Sequence, residues 1–153
     1  MNIAKLAKFL KEANKATYAN KNASKATPTR LNSEDYHFEK DNMIYHDTYF
    51  GARDFIGGEV VYEGEKPIWG ENYFGYVLDE NLDEKVVYDF LRKALMEEYE
   101  DVIPVRGPAH FSEGSNEYRF KADGDLNNFT GVEEILFAGK VVYRCFVHGG
   151  IIK

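Results

Sequence analysis

DYHFEKDNMIYHDTYFGARDFIGGEVVYEGEKPIWGENYFGYVL, residues 35–78, carries the pattern that decides the fold class. DYHFEK and MIYHDTYF alternate apolar and polar residues on either side of Lys40-Asp41-Asn42, which reads as a hairpin. GGEVVYE and PIWGENYFGYVL follow around Glu63-Gly64-Glu65-Lys66, where Gly64 can supply a positive φ. Pro67 can start the outgoing strand, where its missing N–H matters least. Turns this short join antiparallel neighbours.

Working outward, Ile3, Leu6, Ala7, Leu10 and Ala13 or Asn14 recur at helical spacing, with Lys5, Lys8, Lys11 and Glu12 on the other side. They predict an amphipathic first helix. Residues 17–34, TYANKNASKATPTRLNSE, have no apolar period, and Pro28 breaks any helix. They are expected to form a mobile loop, either a plain connector or a lid over a pocket. Residues 82–100 read as a second helix, with Asn81 and Glu84 resembling a capping box and Val86, Val87, Phe90, Leu91, Ala94, Leu95 and Tyr99 (or nearby Met96) on the apolar face. Pro104 and Gly107 end it. NEYRFKA and VEEILFAGKVVYRCFVHGG then return to strand pattern around Ala138-Gly139-Lys140. Helices and strands do not alternate one for one, which argues against a doubly wound parallel sheet. The expected fold is α+β: a curved antiparallel sheet of about six to seven strands with both helices on one face.

FIGGEVVYEGEKPIWGENYFG (55–75) and FTGVEEILFAGKVVYRCFVHG (129–149) align without a gap at an offset of 74 residues. Phe55 matches Phe129, Gly57 matches Gly131, Glu59 matches Glu133, Lys66 matches Lys140 and Gly75 matches Gly149. Five shared residues are compatible with convergent hairpin chemistry or with two related hairpins placed by a pseudo-twofold.

At 153 residues the chain is expected to form a single domain, 1–153. It is long enough to bury roughly 68–70% of its unfolded surface. Its 26 acidic and 19 basic residues leave a net charge of -7 and a pI near 5.1. That balance disfavours binding to nucleic acid or to an anionic membrane, both of which need a positive field. Cys145 is the only cysteine, so no intramolecular disulfide or cysteine metal cluster forms, and a reducing compartment fits. The lysine-interrupted N-terminus is not a signal-peptide core, and no run of 18 apolar residues exists, so a cytoplasmic location is expected.

Chemistry-bearing residues cluster on the strands. Alternation puts Tyr45, Asp47 and Tyr49 on one side of their strand, a carboxyl between two phenols. Trp69, Glu71 and Tyr73 share a face of the next hairpin, with Asn72 beside them. Glu59 is the counterpart of Glu133 in the internal match. His148 lies near the C-terminus, and Arg106 and Arg119 can bind an anion. The four histidines, His37, His46, His110 and His148, have no metal-ligand spacing, so neither a metal site nor a cofactor is expected. Phosphate-binding, dinucleotide-binding, zincin and nucleophile-elbow signatures are missing.

Tyr45 to Gly51 (Y-x-D-x-Y-F-G), Phe55 to Val61, Lys66 to Gly75, Arg106 to Pro108 and the terminal His148 to Gly150 together resemble an uncharacterised bacterial family, a domain of unknown function. Its members occur alone or behind an Xre-type helix-turn-helix module. The resemblance covers nearly the whole chain, and this chain is expected to begin directly with the first helix. It implies that a sensor ligand used by fused relatives would also suit the stand-alone domain.

Three functions follow as expectations. The first is a pocket for a small polar ligand, formed from Tyr45, Asp47, Tyr49, Glu59, Trp69, Asn72, Tyr73, Arg106 and His148. The second is a small enzyme using Asp47 or Glu59 with His148 as acid and base. The third is an interaction module or homodimer built on exposed aromatics.

Overall fold

The computed structural model describes residues 2–153. Helix α1 (Ile3–Ala16) is capped by the Asn2 side chain, which accepts from the Lys5 N–H at 3.2 Å. It buries Leu6, Phe9, Leu10 and Ala13. Strands β1 (Glu34–Lys40), β2 (Met43–Gly51), β3 (Asp54–Glu63) and β4 (Lys66–Val77) follow as an antiparallel meander. Helix α2 (Glu84–Met96) precedes a second meander of β5 (His110–Glu113), β6 (Asn116–Asp125), β7 (Asn128–Phe137) and β8 (Lys140–Ile151). Pairing of β4 with β8 joins the meanders into one sheet of order β1-β2-β3-β4-β8-β7-β6-β5.

The α+β class and antiparallel sheet agree with expectation, but there are eight strands rather than six to seven. The extra one is β5, a four-residue edge strand, HFSE, too short for alternation to register. The second helix also starts and ends inside its expected bounds. Asp83, not Asn81, is its N-cap, accepting from Lys85 N–H at 2.9 Å. The Asn81 N–H is taken instead by Asp79 in a turn.

Both helices cover one face of the sheet. Phe9 of α1 packs on Phe38 of β1, and Phe90 of α2 packs on Phe111 of β5, each at 5.6 Å between ring centroids. Tyr45, Trp69, Tyr118 and Tyr143 are fully buried on this inner face. The outer face carries His46, Phe74, Phe146 and His148, of which Phe74 and Phe146 stand opposite each other and are exposed.

The segment between α1 and β1 wraps the free edge of β1. Ala26 bridges Asp35, and Asp35 accepts from Thr29, Ser33 and Thr48 hydroxyls and contacts His46 Nε2 at 2.7 Å. Those four hydrogen bonds hold the Asp35 carboxyl below the ordinary carboxylate range against the upward push of burial. They cover an edge that would otherwise offer unpaired backbone.

The two halves, each a helix and a four-strand meander, repeat one design. β3–β4 and β7–β8 have the same register at the offset of 74: Glu59 faces Glu71, and Glu133 faces Cys145. β4 and β8 pair so that Tyr73 directly faces Val147, its own counterpart, which places a local pseudo-twofold between them. The match extends beyond the two aligned hairpins. The second strands of each half correspond at an offset of 73 (Tyr45 to Tyr118), and the helices at 81 (Leu10 to Leu91). Gly51 and Gly124 both have φ of 96°, where an added Cβ would meet a carbonyl oxygen at 2.0 and 2.2 Å. The matching registers favour related hairpins over convergent turn chemistry.

Candidate functional site

A cavity of about 300 Å3 opens on the inner side of the first half, between α2, the segment ahead of β1, and strands β2 to β4. The sheet supplies its polar floor. Asp47, Glu59 and Glu71 face one another in register across β2, β3 and β4, and all three are buried. Side chains of directly opposed pairs start from Cβ atoms about 4.5–5.5 Å apart. Asp47 and Glu59 line the cavity, and Glu71 lies behind them.

Three adjacent buried acids cannot all ionise at low cost. Burial raises the Asp47 carboxyl to about 7, although the Tyr73 hydroxyl donates to it at 2.5 Å. Burial first, and then the neighbouring Asp47 charge, raises Glu59 to about 8. Glu71 is raised well above the ordinary range by burial and by Glu59. Glu59 Oε2 and both Glu71 carboxyl oxygens are buried without a hydrogen-bond partner in the protein.

Aromatic rings form the walls. Phe55 packs edge-on against Tyr73 and Tyr88 at 5.8 and 5.9 Å, and Tyr49 meets Tyr18 at 6.4 Å. Arg92 of α2 lies 4.4 Å over the Tyr18 ring and donates from Nε to the Tyr18 carbonyl. It has no carboxylate partner among the described residues. Other charges at the cavity are paired: Lys25 with Glu34 at 2.8 Å and Arg53 with Glu84 at 3.4 Å.

Arg106 also reaches the cavity, but its Nε and Nη2 are committed to Glu133, both at 2.9 Å. Glu133 accepts further from Tyr118 at 2.7 Å and Tyr143 at 2.8 Å. The second half therefore has a buried, fully donated carboxylate where the first half has Glu59.

Of the expected site residues, Asp47, Tyr49, Glu59, Tyr73 and Arg106 converge on this cavity. Tyr45 lies beneath it in the core, its hydroxyl beside Glu59. Trp69 is in the core, stacked 6.0 Å from Phe129 with its indole N–H on the Leu126 carbonyl. Asn72 and His148 pair with each other on the outer face, both exposed. An acid–base arrangement using His148 with Asp47 or Glu59 is therefore not assembled, because the sheet separates them. Tyr18, Tyr88 and Arg92 complete the cavity and were missed. Tyr88 and Arg92 are four apart on α2, so an arginine on the flank of the apolar stripe was the available signal.

Among the described residues, no group of three or more His, Cys, Asp or Glu is placed to hold a metal ion. No described helix is long and apolar enough to cross a membrane.

With this geometry in place, comparison gives the family. Residues 47–152 match the family described as a domain of unknown function (DUF5680), and the chain belongs to it. The match begins at Asp47 and takes in most of the site. No curated protein and no solved structure matches the chain.

Proposed function

We propose that this domain binds a small polar molecule in the cavity of its first half. One observation carries the reading: Glu59 lines an aromatic-walled cavity of about 300 Å3 while one of its buried oxygens has no partner in the protein. A buried acceptor left unmade costs about 1–3 kcal/mol, and a donor on a ligand recovers it. Ligand pockets commonly combine apolar walls with a few placed polar groups, and this cavity has that composition.

A fragment screen read by amide NMR tests it. Binding fragments are expected to shift the backbone amides of Asp47, Tyr49, Tyr88 and Arg92. Hits that leave these four unmoved and perturb the outer face instead overturn the reading.

A catalytic variant has one observation in its favour. Asp47 near 7 and Glu59 near 8 stand side by side, so one can donate and the other accept a proton near neutrality. In that variant the pair acts without a histidine.

A further inference from the structure

The second half of the molecule contains a filled version of the first half's site. Glu133 stands diagonal to Tyr118 as Glu59 stands diagonal to Tyr45, and Phe120 is directly opposite Glu133 where Asp47 is directly opposite Glu59. Glu133 receives four hydrogen bonds, two of them from the Arg106 guanidinium. Around Glu59 two of those donors are missing in kind. Trp69 stands where Tyr143 does in the second half, and its N–H is spent on Leu126. No cation is hydrogen-bonded to Glu59, since Arg106 is committed to Glu133, and Oε2 is left without a partner. A cavity adjoins Glu59 instead.

We propose that a ligand cation, a guanidinium or primary ammonium on a short apolar stem, seats against Glu59 and Asp47 as Arg106 seats against Glu133. This rests on the ligand-binding reading above and names the ligand's chemistry. The rings of Tyr49, Phe55 and Tyr88 suit the stem and the face of such a cation. Arg92, unpaired on the α2 wall, would repel a bare cation but attract a carboxylate at the ligand's far end. The favoured ligand is therefore amphoteric. As the cation seats, the Glu59 carboxylic acid releases its proton to solvent and becomes the counter-ion.

Four probes of similar length separate the possibilities: δ-aminovalerate, γ-guanidinobutyrate, glutarate and valeramide, each titrated at pH 8 and followed by calorimetry and amide NMR. The two cationic probes are expected to bind at least tenfold more tightly than glutarate or valeramide, as a charge-assisted contact should. Glu59→Gln is expected to fold, because it replaces a buried acid with a neutral group of the same shape, and to weaken both cationic probes at least tenfold. Glutarate or valeramide binding as well as the cations overturns the inference and leaves the pocket reading intact. So does silence from all four probes while other fragments shift the cavity amides. Silence from the probes together with fragment hits confined to the outer face overturns both.

Discussion

Glu59 and Glu133 occupy equivalent places in two halves built alike, yet one has an oxygen without a partner and the other receives four hydrogen bonds. Each half is a helix on a four-strand meander, with Asn2 and Asp83 capping the helices and Leu10 and Leu91 buried at matching positions. What differs is the chain between helix and first strand. After α2 it is somewhat shorter, residues 97–109 against 17–33, and brings Arg106 inward to Glu133. After α1 it is longer, wraps the β1 edge and leaves Tyr18 and Lys25 beside open space. On the proposed reading, one buried acid is a structural anchor and its counterpart a binding group, according to whether a cation is supplied from within.

The largest effect should come from removing that cation. Arg106→Met leaves Glu133 buried with only its tyrosine donors, and the loss is expected to be about 3–5 kcal/mol by chemical denaturation. Glu59→Gln, at the equivalent site, should change stability by less than about 1 kcal/mol. Equal losses at the two positions would break the distinction between anchor and binding group.

A pH series sharpens it next. Asp47 and Glu59 carry folded values near 7 and 8 against ordinary values of 3.8 and 4.5. Over that range the native state holds protons that the unfolded chain has released, so stability falls as pH rises. Their contribution is complete below about pH 4, is lost as pH rises through 7 and 8, and changes no further above that. The melting temperature is expected to fall by on the order of 10 °C between pH 5 and pH 9. The double variant Asp47→Asn with Glu59→Gln should reduce the slope, leaving the part that Glu71 contributes. A wild-type profile that rises toward pH 9 would contradict the assignment of buried acids to the first half.

A smaller effect than the Arg106 loss tests the symmetry itself. Gly51→Ala and Gly124→Ala each force a side chain into the left-handed region against a carbonyl oxygen. Each should cost about 1–3 kcal/mol, with the two values close together. Only Gly51→Ala should also disturb ligand binding, because Gly51 lines the cavity. Thermal melts of both variants, with fragment titrations alongside, check this.

Much of the scaffold was readable from local pattern. Alternation placed Tyr45, Asp47 and Tyr49 together, turn residues at Asp41 and Gly64 marked two hairpins, and the match of 55–75 with 129–149 exposed the equivalence of Glu59 and Glu133. Asp41 and Gly64 do adopt the positive φ those turns need. The short strand β5 escaped because four residues after Pro108 hold too little period to be seen. Trp69 was placed with the site because it shares a face with Tyr73. That inner face spans both cavity and core, and four residues along β4 are enough to move from one to the other.

The amino-acid order by itself therefore determined which side chains share a face and which strands form hairpins, since both depend on a period of two and on turn chemistry within a few residues. Only the tertiary structure decided which glutamate found an arginine, which face His148 took, and that Tyr88 and Arg92 of a helix would close a cavity over Asp47. Those outcomes depend on β4 pairing with the distant β8 and on where two loops of different length carry their residues. No local period encodes either one.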